Sequence, residues 1–201
     1  FSIESGWLRH YPQGDSTAHI IGYVQTPASS EKTDNQLYRL ADFRLGKTGI
    51  EKTYEESLQG QAGYKQIEVN ARNRTIRELT TQPPVTGQTM HLSIHSDLQE
   101  YVQERLSQEH SGSAVVMNVY TGEVLSLCSA PSFDPNMFPK GIGKTEWQGL
   151  LNNTYRPLHN KAIQGLYAPG SIFKTVVALA ALEAEVIDEH TTIPCHGYIE
   201  L

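Results

Sequence analysis

Apolar positions along this chain change their period several times, and each change marks an element. Between Tyr64 and Leu79, Ile67, Val69 and Ile76 alternate with polar residues, and the polar stretch Asn70 to Arg74 interrupts them. A period of two on either side of a polar turn predicts a β-hairpin. Met90 to Ile94 alternates in the same way and predicts a short strand. Ser96 followed by Gln99 has the spacing of a capping box, and Leu98, Val102 and Leu106 share one helical face behind it, so a helix is expected to open at Ser96. Ala114 to Val119 and Glu123 to Cys128 are β-rich runs joined by Tyr120-Thr121-Gly122, a second hairpin with glycine supplying the turn.

The last element differs from all of these. From Ser171 to Val186, the residues Ile172, Phe173, Val176, Val177, Leu179, Ala180 and Leu182 cover nearly the whole circumference of a helix. Such a helix is expected to be buried in a core rather than to lie on a surface. Ser29 to Asn35 and Pro131 to Pro139 read as loops, and Gln82-Pro83-Pro84-Val85-Thr86-Gly87 is a break rich in Pro and Gly where the main boundary is placed. The expected fold is α+β in two parts: a β-rich segment 1–84, then an antiparallel sheet with helices over 85–201.

Composition narrows the function classes. A hydrophobic content of 38% is that of globular material, and a formal charge of -6 with both signs scattered gives no basic footprint for nucleic acid. No stretch approaches the roughly 18 apolar residues that a membrane span needs. The chain starts at Phe1 and stops at Leu201 without tail-like composition, so both ends are expected to be cut, which leaves a missing membrane anchor and a cytosolic origin equally open. Two cysteines, Cys128 and Cys195, are too few to staple a small secreted fold.

The chemistry concentrates at the start of the apolar helix. Ala168-Pro169-Gly170 delivers Ser171, and Lys174 follows one turn later on the same face, the S-x-x-K arrangement of penicillin-interacting serine enzymes. A serine hydroxyl is a poor nucleophile until a neighbouring base takes its proton, and the three-residue spacing puts an amine within reach. An ordinary lysine has a pKa of about 10.4, so the role of base requires burial and the helix N-terminus to push it down. The same four letters also arise as a helix cap followed by a surface lysine.

Five stretches together go further than the motif. Asn160 to Ser171 resembles the approach to the nucleophile in class B penicillin-binding proteins of the elongation type, the penicillin-binding protein 2 group. Tyr11 to Asp15, Ala18 to Val24, Gly46 to Lys52 and Ser132 to Asn136 resemble the same proteins in the same order. The resemblance implies that 1–84 is a non-catalytic pedestal or dimerisation-type domain, truncated at its start, and that 85–201 is the first part of a transpeptidase domain, truncated after the nucleophile helix. It implies an enzyme anchored in the bacterial inner membrane and facing the periplasm, which cross-links peptidoglycan during cell elongation. Ser171 would be acylated by a stem peptide ending in D-Ala-D-Ala, and by β-lactams, with Lys174 as general base. A membrane glycosyltransferase and shape-scaffold proteins are the partners it implies; no cofactor, metal or nucleic acid is called for. In that family S-x-N and K-T-G, with the strands that cover the nucleophile helix, follow the serine in sequence. Residues 1–201 alone are therefore expected to be inert toward penicillin, with Val176, Val177, Leu179 and Leu182 short of partners. The rival is a non-catalytic β-lactam sensor or cell-wall scaffold, distinguished by whether those two motifs follow Leu201.

Several other signals lead elsewhere. Lys47-Thr48-Gly49 has the letters of the missing motif but lies upstream, where the resemblance makes it a structural turn. Ala41 to Thr48 is a relaxed phosphate-loop pattern in which Phe43, Arg44 and Leu45 would obstruct the backbone cradle, and Gly143-Lys144-Thr145 lacks the first glycine. Eight histidines include no pair with the spacing of a helical zinc site. Cys128 is expected to be a small buried hydrophobe on its strand, whereas Cys195 is left open between a metal site and a disulfide. His95 stands where the resembled family usually has Asp.

Overall fold

Tyr11 and Asn136 lie 125 positions apart, yet each satisfies the other: the Tyr11 N–H donates to Asn136 Oδ1 at 2.9 Å, and Asn136 Nδ2 donates back to the Tyr11 carbonyl at 3.0 Å. Asp134 aims the amide by accepting from both the N–H and the Nδ2 of Asn136. Nearby, the Ser132 hydroxyl donates to the Asp15 carbonyl at 2.7 Å. Two of the stretches that carry the resemblance are thus the halves of one latch. Beneath it lies a core of Tyr11, Ala18, Tyr23, Phe133 and Phe138. Tyr23 stacks on Phe138 at 3.7 Å between ring centroids, and Phe133 meets both rings edge-on. Each such pair adds about 0.5–1.5 kcal/mol beyond the area it buries.

These relations come from a computed structural model of the chain, which describes residues 8–31, 38, 42–72, 74–192, 194 and 197. The chain divides into two compact units, Phe1–Gly165 and Leu166–Leu201. In the first, helix α1 (Ala18–Ile21) leads to strand β1 (Val24–Gln25), which pairs antiparallel with β2 (Leu45–Gly46). Helices α2 (Gly49–Thr53) and α3 (Glu55–Gln59) follow. Strands β3 (Tyr64–Val69) and β4 (Thr75–Gln82) form an antiparallel ribbon, and α4 (Ser96–Leu106) packs on a second hairpin of β5 (Gly112–Met117) and β6 (Val124–Ala130). Helices α5 (Lys144–Asn152) and α6 (Lys161–Gln164) complete this unit. The second unit holds α7 (Phe173–Glu183). The α+β class and both hairpins are as expected.

The turn at Lys47-Thr48-Gly49 is structural. Gly22 and Gly49 take φ values of +80° and +59°, and a Cβ on Gly22 would run into the Thr48 carbonyl while one on Gly49 would lie 2.5 Å from the Ile20 carbonyl. The end of α1 and the start of α2 therefore touch backbone to backbone, which only glycine allows. Lys47 is held in an ion pair with Glu31. Of the relaxed phosphate-loop pattern, Ala41 lies outside the described residues, and Leu45–Gly46 is strand rather than an open cradle. Of the loop expected from Ser29 to Asn35, Ser29–Glu31 is a 3-10 turn and 32–35 lie outside the described residues.

Three local expectations are corrected. Met90 to Ile94 forms no strand; Ser93 Oγ donates to the Val124 carbonyl and the His95 N–H to the Leu125 carbonyl, two isolated bonds beside β6 that do not make a ladder. The cap of α4 is His95, whose Nδ1 accepts from the Leu98 N–H at 3.4 Å, and not a Ser96–Gln99 box. Gln99 is instead fully buried, together with Gln103 one turn on. Third, α7 is not buried in a core: Val177 is 54% exposed and Leu179 67%, which agrees with the expectation that residues 1–201 alone leave these side chains short of partners. Among the described residues of the second unit, α7 and the 3-10 turn before it are the only regular elements.

Candidate active site

Ser171 and Lys174 both belong to the second unit. Gly170, at φ +57°, reverses the chain after Pro169, and the Ile172 N–H closes the turn on the Pro169 carbonyl at 3.3 Å. Ser171 is the central residue of the resulting 3-10 turn Gly170–Ile172, and Lys174 is the second residue of α7. Thr175 Oγ1 donates back to the Ile172 carbonyl at 2.8 Å and ties the turn to the helix. The serine and the lysine are therefore presented on one turn. Both are exposed, and among the described residues no hydrogen bond joins them. The burial that was expected around Lys174 is not supplied by these residues.

The segment that precedes the serine is anchored inside the first unit, and this was not legible beforehand. Lys161 opens α6 with its N–H on Ser129 Oγ at 3.0 Å, and that hydroxyl donates to the His159 carbonyl at 3.2 Å. The Lys161 ammonium reaches the Arg156 carbonyl at 3.3 Å, and burial pulls its pKa below the ordinary lysine value. From α1, His19 Nε2 bonds the Pro157 carbonyl at 2.8 Å, while Asn160 Nδ2 donates to the His19 carbonyl at 3.3 Å. The only signal for these roles was that Asn160 and Lys161 lie inside the stretch approaching Ser171, and His19 inside the stretch Ala18 to Val24 that carries the same resemblance.

His19 makes the anchor sensitive to acid. Burial is the main cause holding its pKa below 6.5; the bond to Pro157 acts the other way, while Lys161 and His159 nearby further disfavour a charge. As pH falls through about 6.5 the unfolded chain takes up this proton and the folded chain does not, so stability is lost below that point and is fully present above it. The urea midpoint is expected to drop more between pH 7.5 and 5.5 in the wild type than in His19→Gln, whose amide can still donate to Pro157. Equal drops would remove His19 from the account.

Other candidates stay outside the site. Cys128 is 1% exposed on β6 beside Ser126, and burial pushes its thiol up, as fits a small structural hydrophobe. Cys195 lies outside the described residues. Among the described residues no group of three or more His, Cys, Asp or Glu side chains converges as a metal site would. Among them, too, no helix is long and apolar enough to cross a membrane.

Comparison with known proteins places this geometry. Residues 1–92 match the family model of the penicillin-binding protein dimerisation domain, and 112–200 match that of the penicillin-binding protein transpeptidase domain. The chain belongs to the penicillin-binding proteins. Within that family it is 41% identical over 199 residues to the peptidoglycan D,D-transpeptidase MrdA of Escherichia coli K12, covering 96% of this chain and 31% of that protein. It is 38% identical over 201 residues to MrdA of Acinetobacter baumannii, covering 99% of this chain and 30% of that one. The structure superposes with a TM-score of 0.84 on PBP2 of Helicobacter pylori, solved in complex with MreC, at 36% identity over 96% of this chain and 36% of that one. With Pseudomonas aeruginosa PBP2, solved in complex with WCK 5153, the TM-score is 0.78 at 34% identity, over all of this chain and 40% of that one. The chain thus spans about a third of the length of the curated penicillin-binding proteins it matches.

Proposed function

We propose that this chain is part of a serine D,D-transpeptidase that cross-links peptidoglycan during cell elongation, with Ser171 as nucleophile and Lys174 as general base. The observation that carries the proposal is the turn presenting both side chains at the head of α7, in a chain whose second half matches the transpeptidase domain. The hydroxyl of Ser171 attacks the carbonyl of the penultimate D-Ala of a stem peptide, and Lys174 takes its proton. The peptide bond to the terminal D-Ala breaks and free D-Ala leaves as the amine, carrying a proton. An amine of a neighbouring stem then attacks the Ser171 ester, forming the cross-link and restoring the serine. The backbone N–H of Ser171 serves as one oxyanion donor, a role worth about 100- to 1000-fold in rate where a single donor has been removed. β-Lactams present a strained amide to the same hydroxyl and stop at the ester.

The full protein on this reading is held at the periplasmic face of the inner membrane. Its partners are a glycosyltransferase that polymerises the glycan and a scaffold protein that sets cell shape; the H. pylori relative in complex with MreC supports the second. The test is covalent labelling of the longer protein by a fluorescent penicillin. Wild type should label stoichiometrically and Ser171→Ala not at all, with far-UV circular dichroism unchanged. Undiminished labelling of the variant would move the nucleophile elsewhere, and a wild type that never labels would leave the scaffold role standing.

A further inference from the structure

In the first unit, Glu100, Gln103, Glu104 and Ser107 form one wall of a recess of about 300 Å³, and the 3-10 turn Gly14–Ser16 forms the other with Asp15 and Ser16. Positions three, four and seven apart share one side of a helix, so the spacing alone brings the α4 residues together. The Gln99 amide, donating to the Ser16 carbonyl, ties one wall to the other. Gln13, exposed at the rim, completes a lining that is polar throughout. None of its three carboxylates has an ion-pair partner among the described residues, and Arg105, the one cation of α4, lies over the Tyr101 ring instead. Acidic walls alone would be a solvated face, but the floor is different. Gln103 is only 5% exposed, and its side-chain amide has no hydrogen-bond partner among the described residues. Asn160 Oδ1 is the one unpartnered side-chain atom sealed from the surface among the buried described residues. The Gln103 amide therefore still borders open space, and the space that this residue lines is the recess. A buried amide without a partner costs free energy that an apolar side chain on α4 would avoid.

The hydrogen-bonding inventory selects the ligand. Ser16 Oγ donates to the Gln13 carbonyl at 2.8 Å and Ser107 Oγ to the Glu104 carbonyl at 2.7 Å, so both hydroxyls offer only lone pairs to the recess. With the three carboxylates, acceptors outnumber donors, which are the amides of Gln103 and Gln13. The missing group is thus a cation rich in N–H. A bare metal ion does not suit, because no three His, Cys, Asp or Glu side chains converge among the described residues. A guanidinium spreads five N–H donors over a rigid plane and reaches acceptors that stand apart. We propose that this recess binds an alkylguanidinium, the head group of an arginine side chain, with the Gln103 amide oxygen and the α4 carboxylates accepting from it. Binding requires nothing of Ser171 and is independent of the catalytic proposal.

Two probes carry the head group: N-acetylarginine methylamide stands for an arginine within a polypeptide, and agmatine for a free small molecule. The citrulline analogue of the first, a neutral urea of nearly the same shape, is the control for charge, and the lysine analogue is the control for the planar fork. Each is titrated into the 201-residue chain at about 0.01 M ionic strength, where charges act over about 30 Å. The arginine probe should saturate, with amide NMR shifts confined to 13–16 and 100–107, and the tighter of it and agmatine names the source. The citrulline and lysine analogues should bind at least tenfold more weakly. Gln103→Met keeps the length of the side chain and deprives no neighbour of a partner, so the urea midpoint should hold or rise while affinity for the arginine probe falls at least tenfold. Glu100→Gln combined with Glu104→Gln, both exposed, should lower it as much by removing charge. A citrulline or lysine analogue that binds as tightly, unchanged affinity in either variant, or a soaked crystal showing only ordered water on the Gln103 amide would overturn the proposal.

Discussion

Replacing Lys174 by arginine is expected to slow acylation by penicillin about 100-fold or more in the longer protein, although the positive charge is kept. Proton transfer by a positioned side chain contributes typically 10²–10⁴-fold, and a guanidinium cannot give up its proton in a protein. A hundredfold loss corresponds to about 2.7 kcal/mol of transition-state stabilisation. The second-order rate constant of acylation, measured for both proteins at the same pH, checks it. A loss below about tenfold would mean that Lys174 orients the serine by charge and does not serve as its base. The test belongs to the longer protein because α7 stands uncovered here, with Val176 and Val177 each more than half exposed.

Gln99→Leu should destabilise the first unit by about 3–5 kcal/mol, more than most single substitutions anywhere in a protein. Gln99 is fully buried, and its amide spends every bond on main chain or on Ser126. Nε2 donates to the carbonyls of Ser16 at 2.5 Å and Leu127 at 2.9 Å; Oε1 accepts from the Leu127 N–H at 2.8 Å and the Ser126 hydroxyl at 3.0 Å. Leucine fills the space but leaves up to four polar groups dry and unpaired, at about 1–3 kcal/mol each before the surroundings relax. Because domains are stable by only about 5–15 kcal/mol, the urea midpoint should fall steeply. A cost under 1 kcal/mol would show that α4 and β6 are held by apolar packing alone.

What the sequence determined by itself is local. The two hairpins follow from period-two runs on either side of short polar turns, and β5 with β6 formed as read because alternation and turn lie within twenty residues of one another. That Ser171 and Lys174 would share one turn was legible for the same reason, since a spacing of three positions needs no partner elsewhere. Helices α1, α2, α3 and α6, at four or five residues each, were missed because a single turn is too short to show a period. Tertiary structure alone decided where polar residues would be buried. Gln99 reads as half of a capping box until the carbonyls of Ser16 and Leu127 arrive to pair with it, and Asn136 reads as loop until Tyr11 closes on it from 125 positions away. Burying a polar side chain is favourable only once distant backbone supplies its hydrogen bonds, and no local pattern records where that backbone will be. The same limit governs α7: its all-round apolar face states that it is suited to burial, but whether anything covers it depends on elements that its own residues do not encode.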